Sequence, residues 1–173
     1  MKIKSIKAVP VNLTPVPKTN PRVAPDPDGG YFVSPMDRYK YDSPDRTWED
    51  NWTRAACIVT AEDGTWGLGI TGASGPVCSI INDHFAELLV GQNPMATEKN
   101  WDMMRRASSA HGTGGMQSYA ISAVDNAIWD LKGKLLGKPV YELLGGPVKE
   151  DIFCYASNTM LKYKTSDYMD WFL

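Results

Sequence analysis

Ile3, Ile6 and Val9 stand among lysines at the start of the chain, and residues 2–13 read as a first strand. A second β-rich run, Ala55 to Thr60, is followed by Asp63-Gly64, a strong reversal signal. Thr65 to Ile70 then reads as the return strand of a hairpin. Beyond it the period becomes helical. Ser74 is placed to cap a helix carrying Val77, Ile80, Ile81, Leu88 and Leu89, stopped by Gly91. Asn93 as N-cap and Pro94 in the first turn open a second helix with Trp101, Met104 and Ala107. After the break at 111–115, a third helix presents Ile121, Val124, Ile128, Leu131 and Leu135 as one stripe. Ala120, Ala123 and Ala127 lie beside it, small enough for a neighbour to approach closely. Asp130 and Lys134, four apart, predict an ion pair on this helix. Gly137 ends it, and Pro139 opens a short helix closed by Gly145-Gly146. Trp66, Trp101 and Trp129 are expected in the core. The fold class is therefore α+β: a three-stranded antiparallel sheet followed by a helical bundle.

Two stretches break this pattern. Residues 14–50 hold seven prolines and Gly29-Gly30, which excludes continuous helix or sheet. Composition alone allows a linker, but Tyr31, Phe32, Met36, Tyr39, Tyr41 and Trp48 suggest a loop that folds over something. After Pro147, Asp151 to Ala156 reads as a strand of near-continuous apolar character, suited to cover on both faces. Thr165 to Leu173 reads as the start of a helix, and the chain ends inside it on apolar residues, which suggests truncation.

Composition narrows the function classes. The charged residues nearly balance, 18 basic against 20 acidic, so the chain offers no basic footprint for nucleic acid. No apolar run approaches the ~20 residues that span a bilayer, and the N-terminus lacks the features of a signal peptide. Cys57, Cys78 and Cys154 are widely spaced and odd in number, which supports neither a disulfide framework nor a zinc site. A cytoplasmic protein with buried thiols is expected. His84 reads as surface or partly buried histidine. His111 precedes a glycine-rich stop that could bind an anion, although such stops are commoner as plain helix breaks. Asp125 and Asp130, five apart, do not share a helix face as a carboxylate pair would need.

Three segments carry a resemblance to a known family: 62–69 (EDGTWGLG), 123–134 (AVDNAIWDLKGK) and 137–146 (GKPVYELLGG). The chain resembles the N-terminal domain of the mandelate racemase and muconate-lactonising branch of the enolase superfamily over essentially its whole length. Ser34-Pro-Met-Asp-Arg-Tyr39, Arg46 and Tyr155-Ala-Ser157 are similar to the sugar-acid dehydratases of that branch, the L-rhamnonate dehydratase-like members most of all. One departure is the absence of histidine from residues 14–33, where that group carries one, which leaves the sugar acid open.

The resemblance implies a capping domain over 1–148, with 14–50 as a substrate-covering loop, and the start of a truncated (β/α)8 barrel over 149–173. It implies α-proton abstraction from an aldonate and loss of the β-hydroxyl, giving a 2-keto-3-deoxy acid. The Mg²⁺, the bases and the acid would belong to the barrel beyond Leu173, so this chain is expected to hold no catalytic residue, to bind no metal and to be inactive alone. Arg46 is expected to reach the substrate, a guanidinium being suited to a carboxylate or several hydroxyls; a solvated loop charge is the alternative. Ser157 and Asn158, at the C-terminal end of the first barrel strand, are further substrate-binding candidates. Lys162-Tyr-Lys164 has the spacing of the family's catalytic lysines but falls after the first strand, and reads as a solvated loop. The implied partners are a sugar acid and further copies of the chain. The alternatives are a stand-alone binding or oligomerisation module, a gene remnant, or a racemase or cycloisomerase of the same superfamily.

Overall fold

The computed structural model describes residues 1–12, 52–112 and 114–154. Strands β1 (Ile3–Val11), β2 (Arg54–Ala61) and β3 (Trp66–Thr71) form one antiparallel sheet in the order β1-β2-β3. Five α-helices follow among the described residues: α1 (Ser74–Ile80), α2 (Ala86–Leu89), α3 (Thr97–Ala107), α4 (Met116–Leu136) and α5 (Val140–Leu143). The three strands predicted for the sheet and the long third helix are present, with ends moved by a few residues. Alternation sends Ala55, Cys57, Val59 and Ala61 of β2 inward, all fully buried. A register shift between Ile3 and Ser5 lets β1 bury both Ile3 and Ile6, which a strict period of two would not.

The core lies between this sheet and the helices. α4 supplies Ala120, Ile121, Ala123, Val124, Ala127, Ile128 and Leu131, and α1 with the turn after it supplies Val77, Ile81 and Phe85. The closest packing is between α4 and β3. A Cβ on Gly69 would fall on the Ala123 carbonyl and 3.1 Å from the Ala127 amide nitrogen. One on Gly67 would meet the Ala127 carbonyl and lie 2.9 Å from the Leu131 Cβ. Alanines on the helix and glycines on the strand thus let the two backbones touch. At its end α4 is closed by Gly137 at φ 63°, with the Lys138 amide donating to the Gly133 carbonyl (2.9 Å) and the Gly137 amide to that of Lys134 (3.2 Å).

Several expectations are corrected. Ser74 does not cap α1: Ala73 precedes the helix in the left-handed region (φ 54°), and the Ser74 hydroxyl is engaged with that of Thr53 at 3.1 Å. The helix predicted from Ser74 is not uniform, because Ile81–Phe85 is a π-helical turn. Asn93 does not cap α3; its side chain accepts from the Met95 amide at 2.9 Å in a local turn, and the helix starts only at Thr97. Trp66 and Trp101 are not core residues, being 48% and 40% exposed. Each indole lies under a cation, Lys134 Nζ at 4.2 Å from the Trp66 ring and Arg105 at 5.7 Å from that of Trp101. Of the strand predicted over 151–156, residues 151–154 are not in a strand, because no described residue pairs with them, and Ile152 and Phe153 are exposed. The rest of it, the helix predicted from Thr165, and residues 14–50 lie outside the described residues.

The α4–β3 contact makes a sharp prediction. Gly69→Ala should destabilise the domain by about 3 kcal/mol or more, since the new methyl meets backbone rather than a flexible side chain. Gly72→Ala, where nothing lies within 4 Å, should leave the thermal midpoint within a few degrees of the parent. Thermal unfolding of the two variants, followed by far-UV circular dichroism, checks this.

Candidate functional site

The residues expected to meet a substrate, Arg46, Ser157 and Asn158, lie outside the described residues, as does the Lys162-Tyr-Lys164 segment. The base from which residues 13–51 depart and to which they return is described. Val11 pairs with Arg54, so the two chain ends leave the sheet side by side. The returning strand is tied to α1: the Ser74 amide donates to the Thr53 carbonyl at 3.0 Å, beside the Thr53–Ser74 hydroxyl contact. The Trp52 indole Nε1 lies 2.6 Å from where a Cβ on Gly75 would sit, so only glycine leaves room for that ring. Sequence patterning read Ser74 as a cap and did not register Gly75. The signal available was a Ser-Gly-Pro run directly after a strand, which marks a chain turning under constraint.

The helices position a second set of polar groups, at the sheet edges. Asp130 and Lys134 form the predicted ion pair at 2.7 Å. Asp130 also accepts from the Leu68 amide at 2.8 Å, and Lys134 donates to the Trp66 carbonyl at 3.0 Å. From the π-helical turn, the Asn82 side chain accepts from the Ala8 amide (2.8 Å) and donates to the Ala8 carbonyl (2.9 Å). Two shallow depressions, of about 440 and 330 Å³, flank Lys134; neither joins a base to an acid in an enclosed space.

Elsewhere the described residues show little that could do acid–base or metal chemistry. Burial pushes the Cys57 thiol up to about 12, with Cys78 adding to the shift, so Cys57 is an inert core thiol. His84 is half-buried with Nε2 unpartnered among the described residues, and its ring meets that of exposed His111 edge-on at 6.5 Å. No group of three or more His, Cys, Asp or Glu among the described residues could hold a metal ion. Mg²⁺ therefore finds no ligand set among the described residues. Asp125 and Asp130 point to different surroundings: Asp130 serves β3, whereas Asp125 is half-buried and its carboxyl is held above its ordinary range, first by burial and then by the charge of Glu98.

Known proteins share this architecture. The model of the mandelate racemase / muconate lactonizing enzyme N-terminal domain matches residues 52–145, from the returning strand to the end of α5. L-rhamnonate dehydratase of Saccharopolyspora erythraea is 46% identical over 99 residues, covering 57% of this chain and 25% of the relative. The crystal structure of L-rhamnonate dehydratase from Gibberella zeae superposes with a TM-score of 0.64 at 29% identity, covering 86% of this chain and 36% of that one. Rhamnonate dehydratase from the same species, complexed with Mg, superposes with a TM-score of 0.55 at 37% identity, over 57% of this chain and 24% of that one. The chain thus spans only a quarter to about a third of the length of these relatives.

The environment of Asp125 sets a pH dependence. Its folded-state affinity for a proton exceeds the unfolded one, so it lowers stability as pH rises from the ordinary aspartate range through its raised one. Asp125→Asn should therefore raise the thermal midpoint at pH 7, and the gain should shrink as pH falls toward the ordinary aspartate range. Melting curves of parent and variant between pH 3 and 7 read this directly.

Proposed function

Because the chain belongs to the mandelate racemase / muconate lactonizing enzyme family through its N-terminal domain, we propose that it is the substrate-selecting cap of a Mg²⁺-dependent sugar-acid dehydratase acting on an aldonate such as L-rhamnonate. The observation that carries this reading is the 46% identity, over 99 residues, to a relative named L-rhamnonate dehydratase. In this reading the reaction removes the proton α to the carboxylate and expels the β-hydroxyl, leaving a 2-keto-3-deoxy acid. Residues 1–148 form the cap, and 149–173 begin the barrel. Acid, base and metal ligands belong to that barrel, while residues 14–50 close over the substrate.

The chain's own part is binding and orientation. Arg46 holds the carboxylate or neighbouring hydroxyls by charge-assisted hydrogen bonds, with Ser157 and Asn158 as further contacts. The paired strands at Val11 and Arg54, and the Thr53–Ser74 tie, support the reading by giving such a loop a fixed base. The exposed apolar side chains of Leu144, Val148, Ile152 and Phe153 support cover by a further part of the enzyme. The same reading makes the enzyme a cytoplasmic homo-oligomer.

The chain alone should give no 2-keto-3-deoxy product from L-rhamnonate with Mg²⁺, and turnover by it would overturn the proposal. Residues 1–148 joined to the barrel of the Saccharopolyspora enzyme should be active. There, Arg46→Ala should lower kcat/KM by roughly 10- to 100-fold, the loss of one or two hydrogen bonds to a charged group. An unchanged kcat/KM would remove Arg46 from the site.

A further inference from the structure

A three-stranded sheet has two open edges, and each is a template for another chain. In an antiparallel ladder, alternate residues of an edge strand turn both backbone groups away from the partner strand. On β3 the residues paired opposite Thr60, Ile58 and Ala56 have this aspect: Trp66, Leu68 and Ile70. On β1 they include Ala8 and Pro10.

The helices occupy several of these outward groups. Asn82 takes both the amide and the carbonyl of Ala8. Pro10 has no amide hydrogen to offer. Farther along β1, Ile3 exchanges both of its backbone groups with the turn after α2: its amide donates to the Gln92 carbonyl and its carbonyl accepts from the Gly91 amide, each at 2.9 Å. On β3, Asp130 takes the Leu68 amide and Lys134 the Trp66 carbonyl, and the 2.7 Å ion pair holds the two side chains together. The side chains around this edge invite pairing, since Ile58, Trp66, Leu68 and Ile70 all stand exposed on the outer face.

We propose that Asp130-Lys134 on β3, and Asn82 with Pro10 on β1, are edge guards that stop a second copy of this chain from adding to the sheet. The guard acts on strand addition only and leaves association through other faces untouched. Its logic is that a docking strand must first displace an ion pair from the very groups it needs.

The test compares Asp130→Ala/Lys134→Ala with the parent chain by sedimentation at increasing concentration. The variant should show a weight-average mass rising to at least twice that of the parent, and adding Ile70→Pro, which removes an outward donor, should return it to the parental value. A variant that keeps native circular dichroism and the parental mass at every concentration overturns the proposal. Amide hydrogen exchange on the parent supplies an answer even if the variant fails to fold. Leu68 should exchange at least tenfold more slowly than Ile70, whose outward amide has no such side-chain partner among the described residues. Equal rates would show that the guard is not closed.

Discussion

The approach of α4 to β3 at Gly67 and Gly69 is the contact on which the other features of this domain depend. Backbone meets backbone there, because neither strand residue carries a side chain and the helix presents Ala123 and Ala127. Any methyl group in that seam would lift the helix off the sheet. With the helix seated, Ile128 and Leu131 are fully buried, and Asp130 and Lys134 fall level with the edge of β3. The seam therefore sets both the depth of the core and the position of the edge clamp. At about 1.5–3 kcal/mol for each large apolar side chain buried, the α4 stripe is a major part of the domain's stability.

A rigid platform of this kind suits the role proposed for residues 14–50. Residues 13–51 connect adjacent strands, whose flanking ends are held together by the Val11–Arg54 pairing. Trp52 over Gly75 and Thr53 on Ser74 extend that anchoring to α1. Among the described residues, Asn82, Asp130 and Lys134 reach from the helices to strand edges, and Asp102 with Arg106 and Lys138 with Glu142 form surface ion pairs.

Much of the fold could be read from residue patterns because the two periods are clean. Alternation in β2, the Asp63-Gly64 reversal and the 121–135 stripe each mark an element. The small residues at 120, 123 and 127 signalled a close approach, although the glycines that answer them could be identified only in the structure. Other readings failed for physical reasons. Tryptophan looks like core by hydrophobicity, yet Trp66 and Trp101 stay at the surface, each with a cation above the ring. A π-helical turn leaves no mark on apolar periodicity, so Ile81–Phe85 passed as plain helix. Ser74 was free to cap only as long as Thr53, twenty-one positions away, was ignored. Arg46 is a candidate through family resemblance alone: a proline-rich stretch gives it no periodic neighbour from which its direction could be argued.

The division of labour between platform and loop can be measured by labelling the site itself. A photoreactive aldonate would be bound to the cap joined to a sugar-acid dehydratase barrel, irradiated, and its attachment mapped by peptide mass spectrometry. Label within residues 14–50 on the cap side is the predicted result. Label concentrated on α3 or α4, with residues 14–50 unmodified, would contradict the assignment of the loop as the substrate-selecting element.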